Sequence, residues 1–462
     1  MIEHAPIFII LTPAAGALIL ELISKFDTSE RVSDLITLSA LAIPVVLLFS
    51  FAPALLEDPI VYELGGWEKP YGITLVLDSL SATMATIVGI VTLSSFVYSL
   101  ESKEMLPRGE RYYFLFLFMT TGLYGVFLTG DLINRYVFFE LTVLTTYVLL
   151  TYTGTKESLK ASYYYLIIGG VASFMFLIGI ALLYFNTGYL DIEAMGKVVP
   201  GLDKNTKILI FSFFAVAIGV KSGLIPFHSW LPDAHVSAPD TITAVLGGVT
   251  VKVGAYILLR ILPIGFSIQA ILNVLIVIGL ATGILASLVT FFYWDLKRIL
   301  TWHTIAQIGL IVSAIGLWSS FSVASALYHT VNHAVFKTLL FLSAGALSFM
   351  YGTRDIRELP LQRGNLIIVG TFLIGLLALI GIPPLNGFYS KSFIVTSALS
   401  RPLVLIPILL IHIITVSSAF RIIYYTSKHE EKAKAPVSMM KILVILAGLC
   451  VFIGTTTTLW ME

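Results

Sequence analysis

Val220-Lys221-Ser222-Gly223-Leu224-Ile225-Pro226-Phe227-His228-Ser229-Trp230-Leu231-Pro232-Asp233-Ala234-His235 is the stretch on which the fold turns. It closes an apolar run at 207–232 that is too long for a simple membrane span, and it carries its own breakers, Gly223 and Pro226. A lysine stands just before the interruption. An ionisable side chain in hydrocarbon is costly and marks function by default, so a broken helix holding Lys221 reads as part of a transport path.

The rest of the chain supplies the membrane context. Of 462 residues, 57% are hydrophobic and 12% charged, with a mean hydropathy of +0.94, values that belong to a polytopic membrane protein rather than a soluble core. The formal net charge of +1 offers nothing to nucleic acid. The single cysteine, Cys450, excludes an internal disulfide framework, a cysteine-ligated iron–sulfur cluster and a structural zinc site, so no cofactor is expected in this chain. No basic segment precedes the first apolar stretch, so Pro6–Ile23 reads as a retained span.

Apolar runs of spanning length fall at about 6–24, 33–54, 76–99, 112–129, 132–153, 163–186, 207–232, 240–261, 268–292, 299–318, 322–350, 364–398, 402–426 and 437–460. The expected fold is therefore an all-α polytopic membrane protein of about fourteen helices, forming one membrane domain over 1–462. The run at 364–398 is also overlong, and its breaker is Gly381-Ile382-Pro383-Pro384-Leu385-Asn386-Gly387. The two broken helices lie five runs apart, as expected if runs four to eight (112–261) and nine to thirteen (268–426) are two copies of one unit. An odd number of helices per copy makes the repeats inverted.

Basic residues set the orientation. Loops after odd-numbered runs hold Lys25, Arg31, Lys103, Arg108, Arg111, Lys156, Lys160, Lys297, Arg298, Arg354, Arg357, Arg363, Lys428, Lys432, Lys434 and Lys441, and outnumber those after even-numbered runs. Positive charge stays inside, so both termini should face outward from the cytoplasmic membrane of a prokaryote.

The opening stretch, with Ala238-Pro239 and Gly247-Gly248-Val249-Thr250-Val251-Lys252-Val253-Gly254 after it, resembles the antiporter-like membrane subunits shared by respiratory complex I, the Mrp sodium/proton antiporters and the energy-converting membrane-bound hydrogenases. Phe138-Phe139-Glu140-Leu141, Asp295-Leu296-Lys297-Arg298-Ile299-Leu300 and Gly381-Ile382-Pro383-Pro384 through Gly387-Phe388-Tyr389-Ser390-Lys391 fit the same family. The likeness covers about 75–430. It implies that Glu140 and Lys221 form a modulating pair, that Lys252 is the central proton carrier, and that Lys391, a glutamate in some members, marks the exit. His228 and His235 either link pair to carrier or cap the broken backbone. Because the chain ends at Glu462, without a long lateral helix, the likeness implies a subunit other than the largest of complex I. The short length and the stretch from Asp295 to Gln307-Ile308-Gly309 look closest to the hydrogenase-type and Mrp D-type subunits.

The residues make chemical sense on their own. Burial pulls a lysine toward neutrality and a nearby carboxylate pushes it back, so Lys221 can be switched by the approach of Glu140. Lys252 has no carboxylate close by in sequence. His329, His333 and Lys337, spaced i, i+4, i+8, form a stripe on one helix face suited to handing protons on through water. Two histidines at that spacing could ligate zinc, but no third ligand is near and the lysine that follows repels a cation. Asp233 reads as a cap for a short helix, His303 as a helix-start residue and Asp78 as structural, while His412 and Arg421 are open in both directions. The expected function is proton translocation, with or without linked sodium, within a larger complex of membrane subunits. Its driver would be a soluble arm whose partner chains hold iron–sulfur clusters or, in an Mrp-type antiporter, an existing ion gradient. A scaffold that has lost conductance and a secondary transporter for an organic solute are the readings from other classes.

Overall fold

The computed structural model describes residues 2–26, 29–56, 58–68, 71–101, 109–360, 365–426 and 439–459. Lys103, Arg108, Arg363, Lys428, Lys432 and Lys434, which enter the orientation argument, lie outside the described residues. The architecture is all-α. In chain order the helices are α1 (Ala5–Ile23), α2 (Glu30–Phe51), α3 (Ser79–Glu101), α4 (Glu110–Leu128), α5 (Leu132–Leu150), α6 (Lys156–Thr187), α7 (Ile192–Val198), α8 (Lys204–Ser222), α9 (Trp230–Ser237) and α10 (Asp240–Gly248). They continue as α11 (Val253–Ile261), α12 (Gln269–Val289), α13 (Leu296–Leu317), α14 (Ser320–Tyr351), α15 (Leu366–Ile380), α16 (Asn386–Ser397), α17 (Pro402–Thr426) and α18 (Met439–Leu459). Among the described residues, thirteen segments are long and apolar enough to cross a membrane. The run at 364–398 is not one of them because it is divided between α15 and α16.

Both expected breaks are present. Gly223 ends α8 with φ +67° and Gly381 ends α15 with φ +84°, left-handed positions that glycine adopts without a Cβ penalty. A third interruption lies within 240–261, where the sequence suggests a continuous helix. Val249 leaves helical geometry (φ −128°, ψ −52°), and Thr250–Lys252 forms a 3-10 turn before α11 resumes. The pair Gly247-Gly248 is the local signal for it, since consecutive glycines weaken a helix. The expected run at 76–99 also starts late. Thr74–Leu77 (β2) pairs antiparallel with Ile60–Glu63 (β1), and Asp78 then caps α3 by accepting from the Ser81 amide at 2.8 Å.

Contacts divide the chain into two compact units. The first comprises Met1–Phe96, Leu106–Lys221 and Tyr256–Ile268, and the second Val97–Met105, Ser222–Ala255 and Gln269–Glu462. In the first unit α4 presents Gly122 and Gly125 to α5, and the missing Cβ of Gly125 leaves room for the Phe138 ring. Arg135, fully buried, is held by backbone: Nε donates to Val126 O at 3.2 Å and Nη2 to Thr129 O. In the second unit α12 and α13 cross through Gly279, Gly283 and Gly309, where a Cβ on Gly309 would lie 2.5 Å from Gly279 O. Trp294 is packed between two guanidinium groups, Arg421 at 4.1 Å and Arg357 at 4.6 Å from its ring centre.

One local arrangement occurs once in each unit. Leu132 N donates to Leu190 O and Ile192 N to Gly130 O, and the same pair of bonds returns with each residue number raised by 164, from Leu296 N to Arg354 O and from Ile356 N to Trp294 O. The aspartates at these positions cap helices: Asp131 accepts from Asn134 N at 2.7 Å, Asp191 from Ala194 N at 2.9 Å and Asp295 from Arg298 N at 2.8 Å.

Candidate ion path

In the first unit, α5 carries Phe139 and Glu140, α6 carries Tyr165, and Lys221 lies in the last turn of α8. The end of a helix is where a cation gains from the dipole and from unpaired carbonyls. The Lys221 ammonium rests 4.6 Å from the centre of the Phe139 ring and donates to the Tyr165 hydroxyl at 3.4 Å. Glu140 is within electrostatic reach of it, yet Glu140 Oε1 is buried without a hydrogen-bond partner. The expected pair is thus close but not joined, and aromatic faces occupy the place of a salt bridge. A buried carboxyl oxygen left unpaired is costly.

In the second unit the expected residues share one buried string. Lys252 is fully buried at the interruption after α10 and donates to Gly247 O, in the last turn of that helix. On α14, His329 is bonded on both sides of its ring: Nε2 donates to Gln307 Oε1 of α13 at 3.0 Å, and Nδ1 lies 2.9 Å from Ser390 Oγ of α16. His333, with its ring centre 6.0 Å from that of His329, is buried and has no partner at either nitrogen. Lys337 donates to Leu300 O at 2.8 Å. Lys391, beside Ser390, donates at 2.5 Å to Leu379 O in the last turn of α15, and Gly381 leaves space for its methylene chain.

The flanking histidines separate in character. His235 is completely buried with both ring nitrogens unpaired and packs edge-on against Phe341 at 5.1 Å. His228 is half-buried against the Trp302 ring at 5.2 Å. Among the described residues no three of His, Cys, Asp and Glu meet as metal ligands would. The string is thus a set of buried titratable groups in which the lysines rest on backbone carbonyls and His333 and His235 have no hydrogen-bond partner.

Residues 129–420 match the family described as NADH:quinone oxidoreductase/Mrp antiporter, transmembrane. The chain belongs to this family. Among the relatives of this antiporter-family chain, the D-type Na(+)/H(+) antiporter subunit of Alkalihalophilus pseudofirmus is 33% identical, with 96% of this chain and 92% of that one covered. The N-type NADH-quinone oxidoreductase subunit of Desulforudis audaxviator is 32% identical over 86% of this chain and 81% of its own. The fold is similar to a chain of the archaeal membrane-bound sulfane sulfur reductase, with a TM-score of 0.91, 26% identity and coverage of 98% and 95%. It is also similar to a chain of the Mrp complex from a Dietzia species, with a TM-score of 0.88, 22% identity and coverage of 99% and 95%.

Several residues of this family member stand in the string without having been singled out in the sequence. Gln307 bridges to His329, and both amide atoms of Asn332 and of Asn386 are buried without a partner. Polar amides inside apolar runs were the available signal. His303 lies two turns into α13 rather than at its start, with Nε2 3.0 Å from Ser418 Oγ. Asp233 does not cap α9 but pairs with Arg298 at 2.9 Å. Arg421 donates to Thr290 O and Tyr293 O. His412 Nε2 is another buried atom without a partner.

Proposed function

We propose that this chain, an antiporter-like subunit of a multisubunit membrane complex, moves protons by alternating protonation of Glu140, Lys221, Lys252, His329, His333, Lys337 and Lys391. The observation that carries the reading is the way the lysines are held. Lys252 and Lys391 each rest on a carbonyl in the last turn of an interrupted helix, and Lys337 rests on another backbone carbonyl. A carbonyl holds an ammonium without taking its proton, so each lysine is stabilised in place and free to exchange with water drawn in by the unpaired amides and imidazoles around it. His228 and His235 serve the same path. A non-conducting scaffold has no reason to keep these groups.

The repeated loop bonds support two copies of a five-helix unit at 112–261 and 268–426. The relative at 33% identity favours an Mrp-type assembly worked by a sodium or proton gradient. The sulfane sulfur reductase likeness favours a redox-driven one whose soluble arm holds the iron–sulfur clusters. In either, the chain sits in the cytoplasmic membrane of a prokaryote with both termini outward.

The test is the intact complex in proteoliposomes enclosing a pH dye, driven by an imposed sodium gradient and, separately, by a potassium–valinomycin potential. Lys252→Met should reduce proton flux to that of empty vesicles while the other subunits still co-purify. Full flux in that variant would sink the relay.

A further inference from the structure

Resting on the proton-relay reading, we propose that the Asp240–Lys297 ion pair is the port through which the relay of the second unit exchanges protons with water, and that the Phe341 ring separates this port from the relay.

Three observations meet here. First, the stripe on α14 does not stop at Lys337. At the same four-residue interval it continues through Phe341 to Gly345, and the Asp240 carboxyl occupies the space a side chain at 345 would fill: a Cβ there would lie 2.5 Å from Asp240 Oδ2. The carboxylate is thus seated against α14, two turns beyond Lys337 on the same helix. Second, the exchanging groups from Lys252 to Lys391 are buried, and a buried path needs at its mouth a proton-exchanging group that reaches water. Asp240 is placed to be that group. Its side chain is 20% exposed, whereas Lys297, 2.8 Å away, is 5% exposed and also donates to Ala238 O at 2.6 Å. The pair steps from water to interior. Third, the ring between port and relay touches both: Phe341 lies 5.7 Å from the Lys337 ammonium and edge-on to His235, and Gly247 is bare where the ring passes.

The port lies at an end of the second unit where loops converge, since Arg354 donates to Val236 O and Leu296 N to Arg354 O. A proton from water neutralises the Asp240 carboxylate and dissolves the ion pair. The Lys297 ammonium, left with only the Ala238 carbonyl, releases a proton to His235, which has no fixed partner and lies within electrostatic reach. The proton on Asp240 then refills Lys297 and restores the pair. One proton has entered and one has reached His235, with the port unchanged. A purely structural ion pair is a poor alternative, because removing two charges from water costs about as much as their attraction returns.

The same proteoliposomes test this. Asp240→Asn should lower flux per assembled complex about tenfold or more, Asp240→Glu should recover most of it, and the double variant Asp240→Asn with Lys297→Gln, which replaces both charges by neutral groups of similar shape, should assemble normally and still fail to conduct. Wild-type flux in Asp240→Asn, or restored flux in the double variant, would overturn the port and leave only a structural pair. Lys252→Met separates the two ideas: if it conducts, the relay itself is wrong, and if it is silent while Asp240→Asn conducts, only the port is.

Discussion

Arg260 grips Asp78 with two hydrogen bonds, Nη1 to Oδ2 at 2.6 Å and Nη2 to Oδ1 at 2.7 Å, while Ser81 supplies two more to the same carboxyl. Burial pushes the Asp78 carboxyl up, but the guanidinium and the Ser81 bonds outweigh it and hold it below the ordinary 3.8. The folded state therefore binds its proton less readily than the unfolded one. The pair's contribution is fully present above the ordinary carboxylate range and is lost as pH falls through the lowered value. Asp78→Asn should cost about 1–3 kcal/mol at neutral pH. Thermal unfolding of the purified complex, scanned from about pH 6 to about pH 3, should show that gap closing at the acid end. Asp78 was legible as structural but its partner was not, because Arg260 lies 182 positions away and a single sequence carries no sign of such a pairing. Lys252 and Lys391 were legible for the opposite reason, since a charge in an apolar run is visible without knowing what it touches.

At the level of the helix, glycines decide what can approach. A methyl group on Gly309 would lie 2.5 Å from Gly279 O and 2.6 Å from Gly283 N, backbone atoms that cannot turn aside. Gly309→Ala should destabilise the α12–α13 crossing by about 1–3 kcal/mol, read as a lower unfolding temperature and less assembled complex. Gly370→Ala, which meets nothing within 4 Å, is the control. The breaks at Gly223 and Gly381 could be read in advance because each joins glycine to a nearby proline. The break at Lys252 could not, since glycine alone leaves a helix open to continuing. The hairpin of β1 and β2 escaped for another reason. Its second strand, Thr74–Leu77, is apolar and abuts α3, so hydropathy merges it with the helix that follows.

For the whole molecule, the membrane character, the all-α fold and the family followed from composition and motifs, whereas the division into two compact units did not. Ser222–Ala255 belongs with the second unit although it was expected to close the first repeat. Contacts of that range depend on packing partners far along the chain. The driver is decided by the partners, so the complex purified in mild detergent should be assayed for iron and acid-labile sulfide. Clusters in co-purifying chains, with a spectral change on reduction, assign a redox-driven assembly; small hydrophobic partners without iron assign a gradient-driven one. The rests of the buried lysines on main-chain carbonyls bear on how such a chain tolerates mutation. No substitution deletes a carbonyl. A saturation scan of the acceptor positions Gly247, Ala238, Leu300 and Leu379 should therefore register changes in bulk, most of all at Gly247, where a Cβ would lie 2.4 Å from the Phe341 ring, and never the loss of an acceptor.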